Sequence, residues 1–130
     1  MEVDVLRSGR ELVAAGYCLY ASSSIFVLAF GGEVNGFTYD PALGSYILSH
    51  PNLRIPEDGD IYSVNEGNSR HWYESTKQWV EDKKLRMGKG SATLRYIGTM
   101  VSDVHRTLLY GGVFLYPVDK RVSCRVNTQG

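Results

Sequence analysis

The chain has 130 residues, of which 43% are hydrophobic and 22% charged, an ordinary globular composition that excludes disordered, collagen-like and coiled-coil classes. A fold of this size buries about two-thirds of the surface its unfolded chain exposes, enough for a real core. Fourteen basic residues balance fourteen acidic ones, so there is no basic excess for general nucleic-acid or membrane-surface binding, while one small anionic ligand stays open.

Glu2 and Asp4 stand where a signal peptide would carry basic residues, so no secretory leader is expected. Ser8-Gly9-Arg10-Glu11 ahead of an apolar run has capping-box spacing, which predicts a helix over residues 8–20. No charge falls between Glu11 and Glu33, and residues 12–30 are long enough to cross a bilayer. Gly16, Tyr17, Tyr20 and Ser22-Ser23-Ser24 interrupt that stretch, and no membrane span is expected. Cys18 and Cys124 have no metal-like spacing and point to a reducing compartment. Residues 25–30 form a continuous apolar run closed by Gly31-Gly32, the pattern of a strand buried on both faces. Residues 34–40 and 45–49 predict two more strands around the turn Asp40-Pro41-Ala42-Leu43-Gly44, and together the three suggest an antiparallel meander.

Residues 51–60, with Pro51, Pro56 and Gly59, are the most turn-rich and serve as the boundary between two halves. Beyond it come a strand at 61–64 and an amphipathic helix at 75–84 with Trp79 and Val80 inward. A loop at 87–91 and a strand at 94–97 follow. A helix at 100–110 is stopped by Gly111-Gly112, and a strand at 113–116 by Pro117. The second half therefore reads β-α-β-α-β, and the chain as a mixed α/β fold.

Asn65 follows the strand at 61–64, Arg95 and Tyr96 lie on the next, and Tyr116 ends the last. Ligands of open α/β sheets bind beyond the carboxyl ends of strands. Gly98-Thr99 opens a helix, where backbone N–H groups favour a phosphate, so the expected ligand is an anion. The plainer reading stays open: tyrosine packs well on pleated strands, and a lone arginine commonly serves a surface ion pair. Gly88-Lys89-Gly90-Ser91 lacks the earlier glycine of a P-loop. Glu57-Asp58-Gly59-Asp60 lacks calcium-loop spacing and reads as a solvated turn. His50, His71 and His105 form no helix-spaced zinc pair, His105 reads as structural, and no GxSxG is present.

Four segments carry a resemblance: Ala15 to Tyr20, Gly36 to Pro41, Ile61 to Asn68, and above all the block Arg95-Tyr96-Ile97-Gly98-Thr99-Met100-Val101-Ser102-Asp103-Val104-His105 running on to Tyr116-Pro117. From about Asp4 to Arg121 the sequence resembles class I fructose-1,6-bisphosphatases of plant or algal type. The resemblance implies an internal stretch of a longer enzyme with a layered α-β-α sugar phosphatase fold. Residues 1–55 would end an effector-side domain, 56–121 would begin the substrate-side domain, and 122–130 would be a non-family tail.

The activity implied is magnesium-dependent hydrolysis of the 1-phosphate of fructose 1,6-bisphosphate, in gluconeogenesis and sucrose synthesis. By the resemblance, Asn65, Tyr96 and Tyr116 hold the 6-phosphate and Gly98 and Met100 lie against the sugar. Arg95 would reach into a neighbouring subunit's site, so a homo-oligomer is implied. Some family versions have a phosphate-binding tyrosine where this chain has Asn68. The magnesium ligands would lie outside this chain: Asp40-Pro41-Ala42-Leu43-Gly44-Ser45 mimics the family's DPxDGS motif, but leucine stands for its second aspartate. No catalytic or metal residue is therefore assigned here, and the chain alone is expected to be inactive. Val122-Ser123 is what a splice-donor sequence would encode, which suggests truncation. The alternatives are a non-catalytic subunit that binds a sugar phosphate or joins oligomers, and a sedoheptulose bisphosphatase. The compartment implied is the cytoplasm, with the chloroplast as alternative.

Overall fold

A computed structural model describes residues 8–85 and 92–121. The chain divides between Arg54 and Ile55 into two units, which are treated separately.

The first unit is a four-stranded antiparallel meander: β1 (Ala14–Tyr20), β2 (Ser24–Phe30), β3 (Glu33–Asp40) and β4 (Ser45–His50), paired in that order. The helix expected over residues 8–20 is absent. Ser8 does cap, its Oγ accepting from the Arg10 N–H at 3.3 Å, but it starts only one 3-10 turn, Gly9–Glu11. The chain then runs as β1, with Tyr17 opposite Val27 and Leu19 opposite Ile25. Gly16, Tyr17 and Cys18 are indifferent or poor helix formers, so cross-strand pairing outweighs a weak local signal.

Gly31 and Gly32, both at positive φ, make the tight turn into β3. Asp40 Oδ1 accepts from the N–H groups of Ala42 at 2.8 Å and Leu43 at 3.3 Å, fixing the turn into β4. The cross-strand register gathers Cys18, Phe26, Phe37 and Leu48 on one face, where the Phe26 ring meets those of Phe37 and Tyr46. Tyr17, Val27 and Gly36 lie on the other. Only Val27 of β2 is buried, so the expectation of a strand covered on both faces does not hold. This unit's described residues form one sheet layer, and a single layer leaves both apolar faces partly open.

The second unit is built on a parallel sheet with β5 (Ile61–Ser63) between β6 (Thr93–Leu94) and β7 (Val113–Phe114). A 3-10 helix (Glu66–His71) and α1 (Glu74–Lys84) lead from β5 to β6, and α2 (Met100–Tyr110) leads to β7. The outer strands are shorter than the sequence predicts. Past Leu94 the ladder adds Arg95 N–H to Tyr62 O at 3.0 Å, and past Phe114 it adds Leu115 N–H to Ser63 O at 2.8 Å. It stops there because β5, three residues long, turns away at Asn65. The loop expected at 87–91 lies outside the described residues.

Tyr62, Val64, Trp72 and Val80 form the core, with Trp79, Ala92, Val113 and Leu115 packed on it. Trp79 and Val80 thus face inward as the amphipathic pattern predicts. Tyr62 is apolar only in its ring: its hydroxyl donates to Glu66 Oε1 at 2.6 Å, and Lys84 Nζ donates to Glu66 Oε2 at 3.1 Å and to Glu81 Oε1 at 3.0 Å. This chain of bonds ties β5, the 3-10 helix and α1 together. Burial, and then the bond to Glu66, push the Tyr62 pKa up to about 12.

At the far end of α2, backbones meet without room for side chains. A Cβ on Gly112 would stand 2.1 Å from Ile61 O, and one on Gly59 would stand 1.8 Å from Gly112 N. Gly112 also has φ +88°, which L-residues avoid. Among the described residues no helix is long and apolar enough to cross a membrane.

Gly112→Ala should therefore destabilise the protein by more than about 2 kcal/mol. Gly44→Ala, at φ +61° with nothing within 4 Å of its Cβ, should cost about 1 kcal/mol. Thermal unfolding followed by circular dichroism compares the two. Because the Tyr62 pKa is raised on folding, its contribution to stability is present below the unfolded tyrosine pKa of about 10 and lost as pH rises through about 12. Glu66→Gln should bring the most alkaline tyrosine transition in an ultraviolet titration toward 10.

Candidate functional site

The three parallel strands end on one edge of the sheet, and the same position recurs on each. Asn65 lies two residues past β5, Tyr96 two past β6 and Tyr116 two past β7. Asn65 is placed by capping: its Oδ1 accepts from the Gly67 N–H at 3.1 Å, and its carbonyl accepts from the Asn68 N–H at 3.1 Å. Asn65 and Tyr116 line one cavity of about 280 Å³. Val64, Trp72, Leu115 and Pro117 supply its apolar wall, and Asn68, Asp119 and Arg121 complete its polar lining. Tyr116 is 84% exposed, so its hydroxyl is available to a ligand.

Arg95, Tyr96, Gly98 and Met100 are not among the residues lining that cavity. Arg95, Tyr96 and Gly98 sit on the exposed segment that links β6 to α2, and Met100 is the exposed first residue of α2. By register, Tyr62 pairs with both Leu94 and Val113, so Asn65 falls level with Tyr116 and Val64 with Leu115 and Tyr96 when the strands are continued. Val64 and Leu115 line the cavity alongside Asn65 and Tyr116, so register by itself does not separate Tyr96 from it.

Asp119 and Arg121 were not singled out from the sequence. Asp119 is buried and bridges to Trp72, which brings the segment after Pro117 back over the cavity. Arg121 donates to Asp119 Oδ2 from Nε at 3.0 Å and from Nη2 at 2.5 Å, and its N–H donates to Oδ1 at 2.9 Å. The hydrogen bonds to Asp119 raise the Arg121 pKa above its ordinary value, so the guanidinium stays charged. No sequence spacing relates Arg121 to Asn65; the bridge between Trp72 and Asp119 helps bring them to one cavity.

The start of α2 differs from expectation. Gly98 was expected to offer its N–H to an outside anion, but that N–H donates to Asp103 Oδ2 at 3.3 Å. The Ile97 N–H donates to Asp103 Oδ1 at 3.2 Å, the Ser63 hydroxyl at 2.8 Å and Arg106 Nη2 at 2.7 Å. Asp103 is 0% exposed. Burial works to raise its pKa, but the bonds from Ser63, Arg106 and Ile97 prevail and hold it below the ordinary aspartate value, so the carboxylate is charged at neutral pH. The anion at this helix start is the protein's own.

No group of three or more His, Cys, Asp or Glu side chains among the described residues is arranged to hold a metal ion. Asp40, in the motif-like DPALGS, is a turn former engaged with Ala42 and Leu43. His50 Nδ1 lies 2.8 Å from Ser49 Oγ, His71 Nε2 accepts from Arg70 Nε, and His105 is buried on α2. The cavity at the ends of β5 and β7 is thus lined by amide, phenol and guanidinium donors and by one ion pair, Asp119 with Arg121.

Comparison with known proteins gives the chain a family. A sequence profile described as "Fructose-1-6-bisphosphatase, C-terminal domain" matches residues 55–127, past Arg121, and one described as the N-terminal domain matches residues 1–51. The protein named cytosolic fructose-1,6-bisphosphatase in Oryza sativa subsp. indica is 60% identical over 119 residues, and the one so named in Arabidopsis thaliana is 57% identical over the same length. Each alignment covers 91% of this chain and 35% of the relative, so the chain spans little more than a third of the curated relatives it matches. The crystal structure of Leishmania major fructose-1,6-bisphosphatase in holo form matches with a TM-score of 0.86 and 45% identity over 92% of this chain and 37% of that one. With both profiles matched and the fold shared with a solved relative, the chain belongs to the fructose-1,6-bisphosphatase family.

Proposed function

We propose that this chain is the part of a cytosolic fructose-1,6-bisphosphatase that holds the 6-phosphate of the sugar, and that by itself it binds without hydrolysing. The whole protein would remove the 1-phosphate of fructose 1,6-bisphosphate in gluconeogenesis and sucrose synthesis. The observation that carries this reading is the cavity in which Asn65, Asn68, Tyr116 and Arg121 converge at the ends of β5 and β7. Amide and phenol groups donate to phosphate oxygens, and a guanidinium matches them in charge and shape. The one carboxylate in the lining, Asp119, is paired with Arg121. The cavity therefore sets amide and phenol donors beside a neutral ion pair, and its one carboxylate is engaged rather than free to act as a base.

Arg95, Tyr96, Gly98 and Met100 belong to the same proposal as a second cluster on the segment before α2 and at its start. Tyr96 would add a phosphate donor, and the backbone from Gly98 to Met100 would face the sugar. Exposed Arg95 would serve a neighbouring copy in a homo-oligomer. The family is metal-dependent. Magnesium would act in the whole protein at the 1-phosphate, polarising the phosphoryl group and activating water through carboxylates other than those of the described residues.

The purified 130-residue chain with magnesium should release no phosphate from fructose 1,6-bisphosphate, as read by a colorimetric phosphate assay; turnover would overturn the inactive reading. Fructose 6-phosphate should shift the amide NMR signals of Asn65, Asn68 and Arg121. Tyr116→Phe should weaken that binding about tenfold, since a hydrogen bond to a charged group contributes about 1.5–3 kcal/mol. Asn65→Asp keeps the capping oxygen but sets a negative charge against the phosphate, and should abolish the response without lowering the melting temperature.

A further inference from the structure

We propose that Asp103 is the positioning residue of this site. In this role it fixes the segment carrying Arg95, Tyr96, Gly98 and Met100 against the strand end that carries Asn65. The inference rests on the sugar-phosphate reading. Three elements converge on one buried carboxylate. Ser63, the last residue of β5 and itself 0% exposed, donates to Oδ1 two residues before Asn65. Ile97 and Gly98 donate their backbone N–H groups to Oδ1 and Oδ2. Arg106, one turn further along α2 with a side chain 14% exposed, donates to Oδ1. Asp103 thus relates the two clusters, which do not share a cavity, without meeting the ligand.

The chemistry of the centre requires a carboxylate. The Ile97, Gly98 and Arg106 groups are N–H donors that cannot accept, and the Ser63 hydroxyl is used as a donor as well. An asparagine in the same shape has one acceptor oxygen, and either orientation of its amide turns an NH₂ toward at least one of those N–H groups. A glutamate adds a methylene to a site with no exposed surface. Gly98, at φ +91°, marks a sharp change of chain direction, so freeing its N–H releases the segment at its tightest bend.

The test uses Asp103→Asn and Ser63→Ala in the 130-residue chain, with amide hydrogen exchange and fructose 6-phosphate titration read by NMR. In Asp103→Asn, exchange at Ile97 and Gly98 should accelerate about tenfold or more while amides of Val64 and Val80 keep their rates. Fructose 6-phosphate affinity should fall about tenfold. Ser63→Ala should leave Ile97 and Gly98 protected, yet weaken affinity and alter the Asn65 shift, because only the tie to β5 is cut. Unchanged exchange at Ile97 and Gly98 overturns the proposal, as does accelerated exchange with wild-type affinity. If Asp103→Asn does not fold, Ser63→Ala decides, and wild-type affinity in it overturns the proposal. If the unmodified chain shows no response to fructose 6-phosphate, the sugar-phosphate reading fails. The exchange arm then judges the positioning role alone: loosening at Ile97 and Gly98 with an unchanged core supports it.

Discussion

A carboxylate sealed from water sets the terms for the second unit. Burying an ionised group costs several kcal/mol unless donors replace its hydration. Asp103 meets that condition with four donors drawn from β5, the segment after β6, and α2. Such a group holds its surroundings because moving any one of them leaves a charge uncompensated. The C-terminal end of α2 is held differently, by contact between backbones at Gly59, Gly111, Gly112 and Ile61. One end of α2 is thus fixed by charge and the other by shape, and both constraints refer to β5.

That arrangement decides what the edge of the sheet can do. Short parallel strands release their chains early, and each release places a donor-bearing residue beyond the last ladder bond: Asn65, Tyr96 and Tyr116. Asn65 and Tyr116 line one cavity, while Tyr96 stays with the segment that Asp103 holds. Arg121 supplies the permanent positive charge at the cavity rim while Asp119 orients it. The result is a strand-end cavity lined by hydrogen-bond donors, on which the proposed phosphate site rests.

The first unit shows a different economy. Its strands carry apolar side chains on both faces, the Phe26–Phe37–Tyr46 rings on one and Tyr17 with Val27 on the other. Local turn chemistry at Gly31-Gly32 and Asp40 is enough to set the hairpins. A single sheet cannot cover itself, which is why residues such as Leu48 and Ile47 remain exposed despite a composition suited to an interior.

Local sequence determined the elements wherever one short-range signal was strong. Gly111-Gly112 ended α2, the 3.6-residue pattern placed Trp79 and Val80 inward, and turn residues separated β2, β3 and β4, because each signal acts within a few residues. The long block from Arg95 to Pro117 carried the family resemblance, since an uninterrupted run of that length is specific. Tertiary structure decided the rest. Pairing with β2 turned residues 14–20 into a strand against a capping signal that acts over one turn only. The brevity of β5 shortened β6 and β7. Asp103, given no role by the sequence reading, took the amide that an outside phosphate was expected to occupy, and the bridge from Trp72 to Asp119 accompanies the return of Arg121 to the cavity lined by Asn65. Ser63 with Asp103 and Trp72 with Asp119 meet across long stretches of chain, and no local periodicity or spacing records which pairings form.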